Sequence, residues 1–176
     1  YLAPERALEI RQTIGDRVLW IGVFVNESAD QIRVIMDQVG LDYAQLSGDE
    51  PIETLAPLSK RAFKAIRPTE MRQALDETVC FHLDTDVRFP TLLLDAYHPG
   101  EYGGTGIQAA DPIAVAIREK TTRLMLAGGL TPENVAQRIK AVRPWGVDVA
   151  SGVENGIAGV KEAYKIHEFI RQAKEA

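Results

Sequence analysis

Six short apolar runs, each separated from the next by a stretch of helical periodicity, constrain this 176-residue chain more than any other feature. They are VLWIGVFV (18–25), YAQL (43–46), AFKAI (62–66), TLLLDA (91–96), RLMLAG (123–128) and GVDVAS (146–151). Several are nearly continuous in Val, Ile and Leu, the pattern of parallel strands covered on both faces. Between them lie helix signals. Ile32, Ile35, Met36 and Val39 share one face after SADQ (28–31), a Ser-x-x-Gln start. Asp111–Pro112 and Thr131–Pro132 each put a capping residue before a proline suited to the first helical position. Val135, Ile139 and Val142 stripe one helix, Ala163, Ile166 and Ile170 the last, and Ala7, Ile10 and Ile14 the first segment. One helix followed by six βα units, with no linker between them, predicts a single α/β domain over 1–176. Such alternation makes a parallel sheet, either doubly wound or closed into a barrel.

Composition narrows the partners. A formal charge of −5 without a Lys/Arg cluster argues against nucleic acid. No apolar run reaches membrane-spanning length, and the first residues lack the order of a signal peptide. Cys80 is the only cysteine, so no intrachain disulfide forms, which fits a cytoplasmic setting. HLDTD (82–86) reads as a solvated loop rather than a metal site, because no further ligands follow at useful spacing. His98 reads as a loop residue and His167 as a surface or interface residue. No dinucleotide, Walker or Ser-His-Asp pattern is present.

In either parallel architecture, chemistry gathers at the carboxyl ends of the strands. Those positions hold Asn26, then Gln45 and Ser47, then Asp95, followed by AGGL (127–130) and DVASGVE (148–154). The last two segments are glycine-bearing and free of nearby basic side chains in the sequence. Bare backbone N–H groups there suit a phosphate, although the same glycines also serve tight strand-to-helix turns. After Asp95 the chain runs into EYGGTG (101–106), whose Gly103, Gly104 and Gly106 suit a loop that closes over a substrate.

The segments IGVFVN (21–26), QLSGDEP (45–51), LLLDA (92–96), YGGTG (102–106), LAGGLTPENV (126–135) and GVDVASGVE (146–154) resemble, in order and spacing, those of the phosphoribosylanthranilate isomerases. The resemblance spans essentially the whole chain. It implies a (β/α)8 TIM barrel, of which six βα units are present here, and an Amadori rearrangement of a phosphoribosyl-aminobenzoate in tryptophan biosynthesis. It casts Asp95 as the general acid that protonates the furanose oxygen as the ring opens; a carboxylic acid does this when its surroundings lift its pKa towards the working pH. It assigns Gly128, Gly129, Ser151 and Gly152 to the phosphate, and turns Gln45 and Asp148 towards the substrate. Ser47 stands where the family usually has histidine. No cofactor or metal is implied, and the protein would be a monomer or homodimer acting on a small phosphoribosyl substrate.

Besides Ser47, the chain departs from the family in three places. The family's base, a cysteine in a KICG-type first strand, and an upstream arginine that grips the substrate carboxylate both lack counterparts. Roughly thirty further residues before Tyr1 would supply two βα units, so 1–176 is expected to be an N-terminally incomplete barrel and inactive if it were the whole enzyme. Cys80 is expected to be a buried, inert thiol rather than a substitute base. After GGTG, IQAADP replaces the family's lysine and aromatic-Asp-Trp pattern. Two rival readings are another phosphate-binding barrel enzyme, of the thiamine-phosphate synthase or indole-glycerol-phosphate synthase kind, and a non-catalytic partial barrel that pairs its open edges.

Overall fold

The computed structural model describes residues 1–58, 60–83, 85–95 and 110–176. Helices and strands alternate, as expected of an α/β fold, and the chain divides into two compact units. The first comprises Tyr1–Ala65 and Leu83–Phe89, the second Ile66–His82 and Pro90–Ala176.

The first unit opens with α1 (Pro4–Ile14), followed by β1 (Ile21–Phe24), α2 (Ala29–Val39), β2 (Tyr43–Leu46), the single-turn α3 (Ile52–Leu55), a 3-10 turn at Ala56–Leu58 and β3 (Ala62–Ile66). β1 pairs with β2 and β2 with β3, both in parallel. The predicted start of α2 forms: the Ser28 hydroxyl accepts from the Gln31 N–H at 3.2 Å, satisfying a donor that the helix itself leaves open. Gly40 then ends α2 in the left-handed region, with φ 76°. Ile32, Met36 and Val39 are buried as their spacing required.

The run at 18–25 is shorter as a strand than expected and is not covered on both faces. Phe24 is buried, whereas Val23 is 62% exposed and Ile21 also faces solvent. Alternate residues of a strand point to opposite faces, and the described residues cover only the Phe24 face.

The second unit contains α4 (Met71–Phe81), β4 (Leu92–Asp95), α5 (Ala110–Lys120), β5 (Leu124–Ala127), α6 (Val135–Val142), β6 (Gly146–Val147), a 3-10 turn at Ser151–Val153 and α7 (Ala163–Glu175). β4 pairs with β5 and β5 with β6, again in parallel. Its core joins Ile66, Ala74, Leu92, Leu94, Ala114, Ile117, Leu124, Leu126 and Val142. Each fully buried leucine or isoleucine here contributes about 1.5–3 kcal/mol of burial free energy. Leu93, on the other face of β4, is buried as well, so the three leucines meet the two-faced burial their sequence predicted.

Two helix starts differ from expectation. α5 begins at Ala110, before the predicted cap. α6 begins at Val135, because residues 132–134 form a turn instead. Thr131 still caps that turn, accepting from the Glu133 N–H at 3.3 Å, while the Asn134 side chain accepts from the Thr131 N–H at 2.8 Å. On α7 the buried side chain is Phe169, and Ile166 and Ile170 are exposed. At about 100° per residue, the apolar face of α7 runs from Phe169 and Ala173 round to Ile166 and Ile170. Phe169 packs against Leu130, Val135 and Val153, with Ala173 against the same cluster.

Candidate active site

Strand register brings three predicted residues of the second unit to one edge. Asp95, the last residue of β4, lies opposite Ala127, and Gly128 follows directly. Leu126 lies opposite Val147, and Asp148 follows. A carboxylate, a glycine loop and a second carboxylate therefore leave three adjacent parallel strands at their carboxyl ends.

Arg67, the residue after β3, donates from Nε to Asp95 Oδ2 at 3.1 Å. The Arg67 side chain is 58% exposed and that of Asp95 29%, so solvent screens the pair and it orients the carboxylate more than it stabilises the fold. Asp148 keeps a solvent-facing side, yet protein atoms crowd it elsewhere. That partial desolvation raises its pKa above the ordinary aspartate value; the Asp95 charge adds to the rise, and a hydrogen bond from the Val149 N–H opposes it.

The loop after β5 owes its form to two consecutive glycines with positive φ, 89° at Gly128 and 62° at Gly129, where a side chain would be strained. Asn134 braces it from below, donating to the Gly129 carbonyl at 2.9 Å. The loop after β6 carries Ser151 and Gly152 in the 3-10 turn Ser151–Val153. A Cβ at position 152 would lie 1.8 Å from the Leu130 carbonyl oxygen. The two loops thus touch backbone to backbone, and only glycine permits it. The second loop is not free of basic groups in space: Lys161 Nζ donates to the Ala150 carbonyl and to Glu154 Oε1, each at 2.8 Å, and Lys165 Nζ donates to the Glu154 carbonyl at 2.7 Å. The lysines lie ten and fourteen residues beyond Ser151 in the chain and fold back, which adjacency in sequence could not disclose.

Gln45 and Ser47 belong to the first unit. Gln45 Nε2 donates to Ser47 Oγ at 3.1 Å, and the Ser47 N–H donates to the Phe24 carbonyl at 2.8 Å. Beside them lies a buried ionic network at the carboxyl ends of β1 to β3. Lys64 Nζ meets Glu50 Oε2 at 2.6 Å, with side chains only 5% and 2% exposed, and also donates to the Gly48 carbonyl. Glu50 Oε1 accepts from the N–H groups of Asn26 at 2.7 Å and Gly48 at 3.2 Å. Asn26, with φ 57°, in turn accepts at its Oδ1 from the Asp49 N–H at 2.7 Å. Burial alone would raise the Glu50 pKa; the Lys64 hydrogen bond and the backbone donors outweigh it and hold the carboxyl below its ordinary value.

Gly103, Gly104, Gly106 and His98 lie outside the described residues. Cys80 is exposed, not buried. Ala74 and Thr78 form the inward face of α4, and Cys80, two positions past Thr78, points about 200° away from it. His167 is exposed on α7. Among the described residues no group of three or more His, Cys, Asp or Glu is placed to hold a metal, and no helix is long and apolar enough to cross a membrane. Sequence reasoning missed Arg67, Glu50, Lys64 and Lys161. Only Lys64 carried a signal, as a charge within the otherwise apolar run AFKAI.

The chain matches the family described as N-(5'phosphoribosyl)anthranilate (PRA) isomerase over residues 2–172. It is 48% identical to an N-(5'-phosphoribosyl)anthranilate isomerase of Roseiflexus castenholzii over 165 residues, 92% of this chain and 73% of that protein. The crystal structure of phosphoribosyl anthranilate isomerase from Thermotoga maritima superposes with a TM-score of 0.84 at 36% identity, covering 100% of this chain and 82% of that one. A phosphoribosyl anthranilate isomerase in complex with reduced 1-(o-carboxyphenylamino)-1-deoxyribulose 5-phosphate superposes with a TM-score of 0.81 at 32% identity, covering 100% and 81%.

Proposed function

We propose, for a chain that belongs to the N-(5'-phosphoribosyl)anthranilate isomerase family, that Asp95 donates the proton that opens the substrate ring while the glycine loops after β5 and β6 hold the phosphate. The reaction is the Amadori rearrangement of N-(5'-phosphoribosyl)anthranilate in tryptophan biosynthesis, an aldose-to-ketose isomerisation. As the C1–O bond breaks, the ring oxygen takes a proton from Asp95 and the anthranilate nitrogen forms a Schiff base with C1. Loss of the C2 proton and reprotonation then give the deoxyribulose product. Of this proton traffic, residues 1–176 supply the acid half: no KICG-type strand is among them, and Cys80 lies on the outer face of α4.

The observation that carries the reading is the register of Asp95 opposite Ala127, one residue from Gly128. It sets the carboxylate beside the first glycine loop, and the Gly152–Leu130 contact sets the second loop beside the first. Backbone N–H groups in both loops suit an anion. In this reading Gln45, Ser47 and Asp148 are assigned to substrate binding. The chemistry consists of proton transfers and takes no cofactor. We assign 1–176 to one barrel domain with six of eight βα units, acting in the cytoplasm as a monomer or homodimer; a dimeric form is named for the Thermotoga maritima relative.

Asp95→Asn tests the assignment. General acid catalysis is worth about 10²–10⁴-fold, so kcat falls by that factor with KM little changed; wild-type kcat in the variant overturns it. A second reading has two observations in its favour: burial raises the pKa of Asp148, and Asp95 pairs with Arg67. In that reading Asp148 stores the proton, and Asp148→Asn loses more kcat than Asp95→Asn.

A further inference from the structure

Lys161 occupies an unusual position for a basic residue beside an anion site, because it faces the back of the loop. Its ammonium bonds the carbonyl of Ala150, the residue immediately before Ser151, and the carboxylate of Glu154, immediately after the 3-10 turn. The peptide bonds here are trans. In a trans peptide the carbonyl and the following N–H point in opposite directions across one rigid plane. A cation that fixes the Ala150 carbonyl on one side therefore fixes the Ser151 N–H on the other.

The segment that carries Lys161 is itself tied down. Glu154 and Lys161 form an antiparallel bridge, and the Asn155 N–H donates to the Val160 carbonyl at 3.0 Å. The Glu162 N–H donates to the Val153 carbonyl at 2.8 Å, and the Gly159 N–H to Glu154 Oε1 at 2.9 Å. Residues 154–161 thus form a small buttress, and Lys165 adds a second tie through the Glu154 carbonyl.

We propose that Lys161 is a positioning residue for substrate phosphate, holding the Ala150–Ser151 peptide in the orientation that presents the Ser151 N–H to the anion. The proposal rests on the phosphate assignment of the β6 loop made above. Lys161 touches neither the reacting carbons nor the transferred protons, so it acts on binding and not on the chemical step.

The test compares Lys161→Met, Lys161→Arg and Gly152→Ala by steady-state kinetics with phosphoribosylanthranilate, and by competitive inhibition with inorganic phosphate. Lys161→Met raises both KM and the phosphate Ki by about tenfold, the lower end of what a hydrogen bond to a charged group is worth. Its kcat stays within about twofold, and Lys161→Arg restores both constants by keeping the charged donor. Amide hydrogen exchange at Ser151 quickens in Lys161→Met alone. If Gly152→Ala raises the phosphate Ki while Lys161→Met changes only the denaturation midpoint, Lys161 is structural and the proposal fails. If neither variant alters the phosphate Ki, the phosphate assignment fails first. Should Lys161→Met not fold, Glu154→Gln removes one of the two anchors, and an unchanged KM and Ki in that variant overturns the proposal.

Discussion

Removing the ammonium of Lys64 probes the most deeply buried charge pair in the first unit. At 2.6 Å and an effective dielectric of about 20, the gross Coulomb attraction is about 6 kcal/mol. Desolvation of both ions offsets much of it, and experience with broken buried pairs puts the net loss at about 3–5 kcal/mol. Lys64→Met falls at the lower end, because the Asn26 and Gly48 N–H groups still serve Glu50. In urea such a loss lowers the unfolding midpoint by about 1–2.5 M, followed by circular dichroism and by the fluorescence of Trp20 in the same unit. The double variant Lys64→Met/Glu50→Gln recovers at least about 2 kcal/mol relative to the sum of the singles, since no buried charge is left unpaired.

The pH dependence of that loss has a definite sign. In the wild type the folded-state pKa of Glu50 lies below the ordinary 4.5, so its contribution is complete above 4.5 and disappears as pH falls through the lower folded value. Without Lys64, its hydrogen bond and its charge no longer lower the folded pKa, which rises. The variant's deficit is then largest near neutrality and shrinks on acidification. An unchanged midpoint, or a deficit independent of pH with strictly additive singles, refutes the reasoning.

Asp148→Asn stabilises the protein at pH 7 while impairing catalysis, a trade familiar from active sites. The raised folded pKa of Asp148 means that its stability contribution is complete below the ordinary 3.8 and is lost as pH rises through the folded value; the variant's advantage in urea should therefore vanish in acid. Gly152→Ala forces the two glycine loops apart, because its methyl would sit 1.8 Å from the Leu130 oxygen. It raises KM and the phosphate Ki together, and wild-type values for both would show that the contact is incidental.

The alternation of strands and helices was legible because burial on two faces demands long apolar runs, as in Leu92–Leu94, and burial on one face demands helical spacing, as in Ile32, Met36 and Val39. The placement of Asp95, Gly128 and Asp148 on one edge followed from the same logic, since parallel strands deliver their ends together. The errors arose where a residue's surroundings come from distant parts of the chain. Lys161 and Arg67 reach their partners across 11 and 28 residues, beyond what any periodicity records. Cys80 was misjudged because apolar character states a preference for burial but not which face of a helix meets it. On α7 the apolar face was wider than the surface available, and the larger aromatic took it.

Because Leu130 and Gly152 abut through main chain alone, neither glycine loop can be remodelled as a separate module. A graft that lengthened or re-aimed the turn after β5 would collide with its neighbour whatever side chains it carried. New ligand preferences at this end of the molecule would have to be engineered by transplanting both turns as a matched pair.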